Sequence, residues 1–110
     1  MNVKNFWFQE DMVSVQLDEL ISRKVLAHSE QMMAVELTMK KGGVAKIHHH
    51  VHEQMTYIVS GAFEFDVNGV KKIVKAGDAL YMESDVIHGM KCMETGKLLD
   101  IFTPRRDDLL

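Results

Sequence analysis

At 110 residues the chain is long enough for one domain with a real hydrophobic core and too short for two. Hydrophobic residues make up 46% and charged residues 26%, an ordinary globular composition, and a formal net charge of -3 with interspersed signs argues against nucleic acid or an anionic membrane as a partner. The single cysteine, Cys92, excludes an internal disulfide, and with no apolar leader or membrane-length run a cytoplasmic protein is expected.

Residues 1–20 read as an N-terminal arm and 21–110 as one all-β domain. The arm contains Phe6-Trp7-Phe8 and Val13–Leu17, apolar runs suited to packing over the body or to a contact in a homodimer. Two antiparallel strands are predicted over Ile21–Ala27 and Met32–Met39, with His28 at the end of the first as a surface or turn residue. Lys40–Gly43 turns into a histidine strand, Ala45–His50, and after Gln54 another strand runs to Ser60. Asn68-Gly69 is a strong hairpin signal, because both residues accept the positive φ of a type I′ turn; it joins Ala62–Val67 to Val70–Val74. Further strands are predicted at Ala79–Met82, Val86–His88 and Lys97–Phe102, the last stopped by Pro104. Nine or ten short strands separated by turns, without a helix of ordinary length, imply a sandwich or barrel. Met32, Met33, Met82, Met90 and Met93 read as core filling, and Cys92 as a small buried hydrophobe.

Four of the six histidines, His48, His49, His50 and His52, fall within five consecutive positions. In an extended segment side chains alternate, so His48 and His50 share a direction while His49 points outward into solvent. Neutral imidazole is a common metal ligand, and two such rings supply half of a typical coordination shell. His52 is placed at the rim by the turn expected before Gln54.

The spacing Gly42, His48, His50, Gln54, Gly61, followed by Gly77, Glu83, Asp85 and His88, resembles the two halves of the cupin motif. That resemblance implies a single-domain jelly roll, or double-stranded β-helix. It also implies a divalent metal, Zn, Ni, Mn or Fe, held by His48, His50, Gln54 and His88. Glu83, Asp85 and Cys92 depart from the commonest residues at positions that shape a turn. The stretch His48–Gln54, the Ser60-Gly61 turn and the tail Leu99–Leu110 are most similar to the small cupins of the pectin degradation family. Members of that family convert 4,5-unsaturated monouronates to linear 5-keto-4-deoxyuronate. The resemblance carries functional roles onto Asp100, Phe102 and Arg106.

Asp100 also stands out without the resemblance. It interrupts the apolar run Leu98–Phe102, where a carboxylate is costly unless paired, metal-bound or functional. Alternation puts Leu98, Asp100 and Phe102 on one face, so Phe102 would wall the pocket of a carboxyl whose pKa burial can raise toward neutrality. A structural salt bridge to Arg105 or Arg106 is the competing reading; either arginine could instead clamp a substrate carboxylate, a role the resemblance gives to Arg106. Three neutral imidazoles and a neutral amide leave a bound cation its full charge, which suits an anionic sugar acid as the small-molecule partner. Two other functions remain open on these residues: a metal-dependent dioxygenase and a non-catalytic binder of sugars or small acids.

Overall fold

Short alternating runs between turn residues become ten antiparallel strands in the computed structural model, which describes residues 3–110. They are β1 (Ser14–Gln16), β2 (Ile21–His28), β3 (Met33–Met39), β4 (Val44–His48) and β5 (Glu53–Ile58). Then follow β6 (Ala62–Val67), β7 (Val70–Lys75), β8 (Ala79–Met82), β9 (His88–Glu94) and β10 (Gly96–Thr103). Two single-turn 3-10 segments, Gln9–Asp11 and Asp107–Leu109, complete the regular structure, and no α-helix occurs among the described residues. Among the described residues no helix is long and apolar enough to cross a membrane.

Six strands form one sheet in the order β1-β2-β3-β10-β5-β8, and four form the other in the order β4-β9-β6-β7. Ile21, Met39, Ile58 and Leu98 from the first sheet meet Phe63, Phe65 and Cys92 from the second in the main core. A smaller apolar cluster of Met33, Val35 and Phe102 packs with Val25 and Leu109. The all-β, single-domain expectation holds.

Period-two burial explains why these sequences make strands. β5 alternates strictly, with Gln54, Thr56 and Ile58 buried and Glu53, Met55 and Tyr57 exposed. β10 does the same, burying Leu98, Asp100 and Phe102. The Asn68-Gly69 turn forms as expected, with φ of 52° and 83° joining Val67 to its partner Val70. At the other end of β6, Gly61 has φ of 79°, and a Cβ there would lie 2.5 Å from the Glu94 carbonyl oxygen, so only glycine fits that turn.

Several predicted boundaries are corrected. The histidine strand ends at His48 and not at His50, while β5 begins at Glu53 and so includes Gln54. Val86 and Ile87 precede the strand expected there; β9 starts at His88 and continues to Glu94 through a stretch whose small and polar residues had hidden it. Met32 is not core filling, being 53% exposed at the turn before β3, whereas Met33 and Met82 are fully buried. Cys92 is a core residue as expected, its thiol donating to the Glu94 carbonyl.

The first two residues of the expected arm lie outside the described residues. Within the remainder, β1 pairs with β2, setting Val15 opposite Arg23 at the edge of the six-stranded sheet. Trp7 is half-buried with its ring 5.6 Å from that of His28, while Phe6 and Phe8 stack on each other in solvent.

Candidate metal centre

The two sheets bring together residues that are distant in sequence. In the four-stranded sheet His48, the last residue of β4, is paired directly with His88, the first of β9. Gly89 makes this close pairing possible, since a Cβ there would lie 2.9 Å from both the Ala45 oxygen and the Ile47 nitrogen. His50 lies beyond β4 in the connection that crosses to β5. It joins the other two because the chain bends there, its carbonyl accepting a hydrogen bond from the Asp85 amide. Strand alternation is therefore not the reason that His48 and His50 converge.

The three rings form a tight cluster. Ring centroids are 4.5 Å apart for His48 and His88, 5.0 Å for His50 and His88, and 5.7 Å for His48 and His50. One nitrogen from each can be chosen so that all three lie within 4.8 Å of one another. Each Nδ1 faces a backbone carbonyl two residues away: Lys46 for His48, His52 for His50 and Val86 for His88. A carbonyl only accepts, so each Nδ1 carries the proton and each neutral ring turns an Nε2 lone pair toward the others. Burial holds His50 and His88 below the usual imidazole pKa, with Arg106 adding to the effect at His50, so both favour the neutral, ligating form.

Two observations show that a cation fits. The Nε2 of His88 is buried without a hydrogen-bond partner among the described residues, a cost of about 1–3 kcal/mol for an unsatisfied polar atom. In addition, the lone pair of His50 Nε2 faces Gln54 Oε1 at 3.0 Å, although neither atom has a proton to share. The amide orientation is set by its nitrogen, which donates to Thr56 Oγ1 and Asp100 Oδ1, each at 3.0 Å. Two lone pairs turned toward each other at this distance repel unless a proton or a cation lies between them. His48, His50 and His88 can thus hold a metal ion, with Gln54 positioned to contribute its oxygen.

Behind Gln54 lies a buried polar chain. β5 and β10 are in register so that Thr56 faces Asp100 and Gln54 faces Phe102. Thr56 donates to Asp100 Oδ1 at 2.6 Å, and the Gln54 amide donates to the same oxygen. Burial nevertheless pushes the Asp100 carboxyl from 3.8 up to about 6, outweighing these donors and the charge of Arg106. Among the described residues Asp100 makes no salt bridge, which removes the competing reading: Arg105 pairs with Asp107 and Arg106 with Asp108.

Phe102 forms the wall, its ring 5.6 Å from that of His50, with the Arg106 guanidinium 5.1 Å from its centroid. His48, Gln54, His88, Asp100, Phe102 and Arg106 all line one cavity of about 150 Å³. His49 points outward as expected and lies 3.4 Å from Asp85. His52 is half-buried, and its carbonyl orients His50. Sequence reasoning missed Thr56, Gly89 and Arg23, all of which belong to this region. A signal for Thr56 existed: it lies two residues after Gln54, on the same face of the strand.

Comparison with known proteins identifies the family. The cupin domain family matches residues 35–102. The pectin degradation protein KdgF of Dickeya dadantii (strain 3937) is 32% identical over 98% of this chain and 100% of its own length. The structure of KdgF from Halomonas sp. superposes with a TM-score of 0.92 at 34% identity, covering 98% of this chain and 100% of that one. An RmlC-like cupin from Shewanella frigidimarina gives a TM-score of 0.92 at 33% identity, over 98% of this chain and 97% of its own. With the cupin match spanning more than half the chain and a full-length likeness to KdgF, this protein belongs to the cupin family.

Proposed function

We propose that this cupin is an enzyme that opens and ketonises 4,5-unsaturated monouronates, the small anionic sugar acids released when lyases cleave pectin or alginate. The observation that carries the reading is Asp100: a buried carboxyl with a near-neutral pKa, hydrogen-bonded to Gln54 and sharing one cavity with His48 and His88. The likeness to a protein named for pectin degradation supplies the substrate class.

His48, His50 and His88, with Gln54, would hold a divalent ion. When bound, the ion supplies Lewis-acid polarisation and attraction for an anion, so Zn, Ni, Mn or Fe all suit a reaction without redox change. The chain's own residues handle the proton. Thr56 and Gln54 both donate to Oδ1 of Asp100, which fixes the carboxyl plane and leaves its other oxygen to exchange a proton. A pKa of about 6 allows both protonation states near neutral pH. The proton of the anomeric hydroxyl leaves as the bond between C1 and the ring oxygen breaks, giving an aldehyde at C1 and an enol at C5. Proton delivery to C4 and loss of the enol proton give the C5 ketone. Atoms balance within one isomerisation, with Asp100 as the group that moves the proton. Phe102 excludes water from one side, and Arg106 adds positive charge beside the reacting end.

The test is to mix the protein with lyase-generated unsaturated galacturonate or mannuronate and follow loss of the double-bond absorbance. Decay faster than the spontaneous control, abolished by chelator and by Asp100→Asn with metal content retained, is expected. Decay no faster than the control on either sugar would refute the reading.

A further inference from the structure

Two arginines line the cavity, and they differ in what already binds them. Arg106 is held by Asp108, with Nε donating to Oδ1 at 3.3 Å and Nη2 to Oδ2 at 2.7 Å. One edge of its guanidinium fork is thereby occupied and part of its charge is offset. The same contact holds Asp108 below the usual carboxylate range.

Arg23 has no such partner. It lies in β2 between Ile21 and Val25, the residues on either side that contribute to the two apolar clusters, so its side chain projects toward the interior. Its cross-strand neighbours are Val15 and Leu37, both apolar. It is half-buried, and among the described residues no carboxylate lies within 4.0 Å of its guanidinium. Asp11 lines the adjacent cleft, which Arg23 also borders, but forms no ion pair with it. A half-buried guanidinium loses hydration without regaining an anion, and an inward arginine in that state is a ready receptor for one.

We infer that Arg23 is the carboxylate anchor of this site: its unneutralised guanidinium, on the wall formed by β2, takes the acid group of the sugar. A planar fork matches a carboxylate bidentately, which fixes orientation as well as charge. Neutral sugars gain nothing from Arg23 and bind more weakly than the acid. The inference rests on the uronate reading for its substrate class, and Arg23 is assigned to specificity, without a part in the proton transfer.

The experiment uses the metal-loaded protein with galacturonate, a saturated uronate that cannot be ketonised, and galactose as its neutral counterpart, both titrated calorimetrically. Wild type should bind galacturonate at least 10-fold more tightly than galactose. Arg23→Gln should lose about 10- to 100-fold in galacturonate affinity, the range for a charge-assisted hydrogen bond, and leave galactose binding unchanged. Arg23→Lys should recover part of the loss, and with unsaturated galacturonate the Gln variant should show the effect in KM more than in kcat. Galacturonate binding by Arg23→Gln within about 2-fold of wild type overturns the inference, as does absence of galacturonate preference in wild type. If both variants fail to fold, Arg23 is a structural residue and the inference is likewise overturned. Binding that depends on Arg23 without any ketonisation by wild type would leave the anchor standing and remove the proposed reaction instead.

Discussion

Replacing Asp100 by Asn removes a buried negative charge and still offers an oxygen to the Thr56 hydroxyl and the Gln54 amide. Burial pushes the folded-state carboxyl from 3.8 up to about 6. Between those values the folded chain binds more protons than the unfolded chain, so stability falls as pH rises through this window and stays low above it. At roughly 1.4 kcal/mol per pH unit, the ionised carboxylate costs the metal-free protein about 3 kcal/mol near pH 8 but only about 1 kcal/mol near pH 4.5. Asn does not titrate. Whatever fixed cost its amide carries, the stability of Asp100→Asn relative to wild type should therefore rise by about 2 kcal/mol between those two pH values. Urea unfolding in the presence of chelator measures this directly; at a slope of about 1–2 kcal/mol per molar, the shift in relative midpoints is about 1–2 M. Chelator is essential because a cation beside Gln54 would favour the carboxylate and mask the effect. A difference constant to within about 0.5 kcal/mol across the range would refute the buried, desolvated carboxyl on which the proton-transfer role depends.

Three further outcomes follow from the same geometry. His88→Ala removes the most buried ring of the cluster, and metal affinity measured by competition with a chromogenic chelator should drop more than about 100-fold while the core melts cooperatively. Gly89→Ala would place a methyl group 2.9 Å from the backbone of Ala45 and Ile47, forcing β4 from β9; metal affinity should weaken by about 10-fold or more, together with a lower Tm. Thr56→Val deletes the hydroxyl that donates to Asp100, so urea unfolding without metal should show a loss of about 1–3 kcal/mol near pH 8 and a smaller loss near pH 4.5, where the carboxyl carries its own proton.

Much of the fold was legible because its determinants are local. The Asn68-Gly69 turn depends on two adjacent residues that accept positive φ, and the structure forms it at that place. A lone acid in the apolar run Leu98–Phe102, on the face shared with Leu98 and Phe102, marks Asp100 as an inward carboxyl, which it is. Boundaries failed where the local signal was weak. Gly89–Glu94 has small, charged and sulfur-containing residues with no β-branched member, and it is a strand because β4 and β6 flank it on both sides. Periodicity places His50 in a strand, whereas it belongs to a crossing segment tied to Asp85.

The amino-acid order by itself determined which side chains could do chemistry here: the histidine cluster, an amide four residues beyond His50, a later lone histidine and an acid within an apolar strand. Tertiary structure alone decided their partners. Register between β5 and β10 sets Thr56 against Asp100, the pairing of β4 with β9 brings His88 to His48, and closure of the tail gives Arg106 to Asp108 while Arg23 keeps its charge unshared. The physical reason is range: turn and strand preferences act over a few bonds of backbone, whereas lone pairs, protons and charges find one another only after distant strands have been brought side by side.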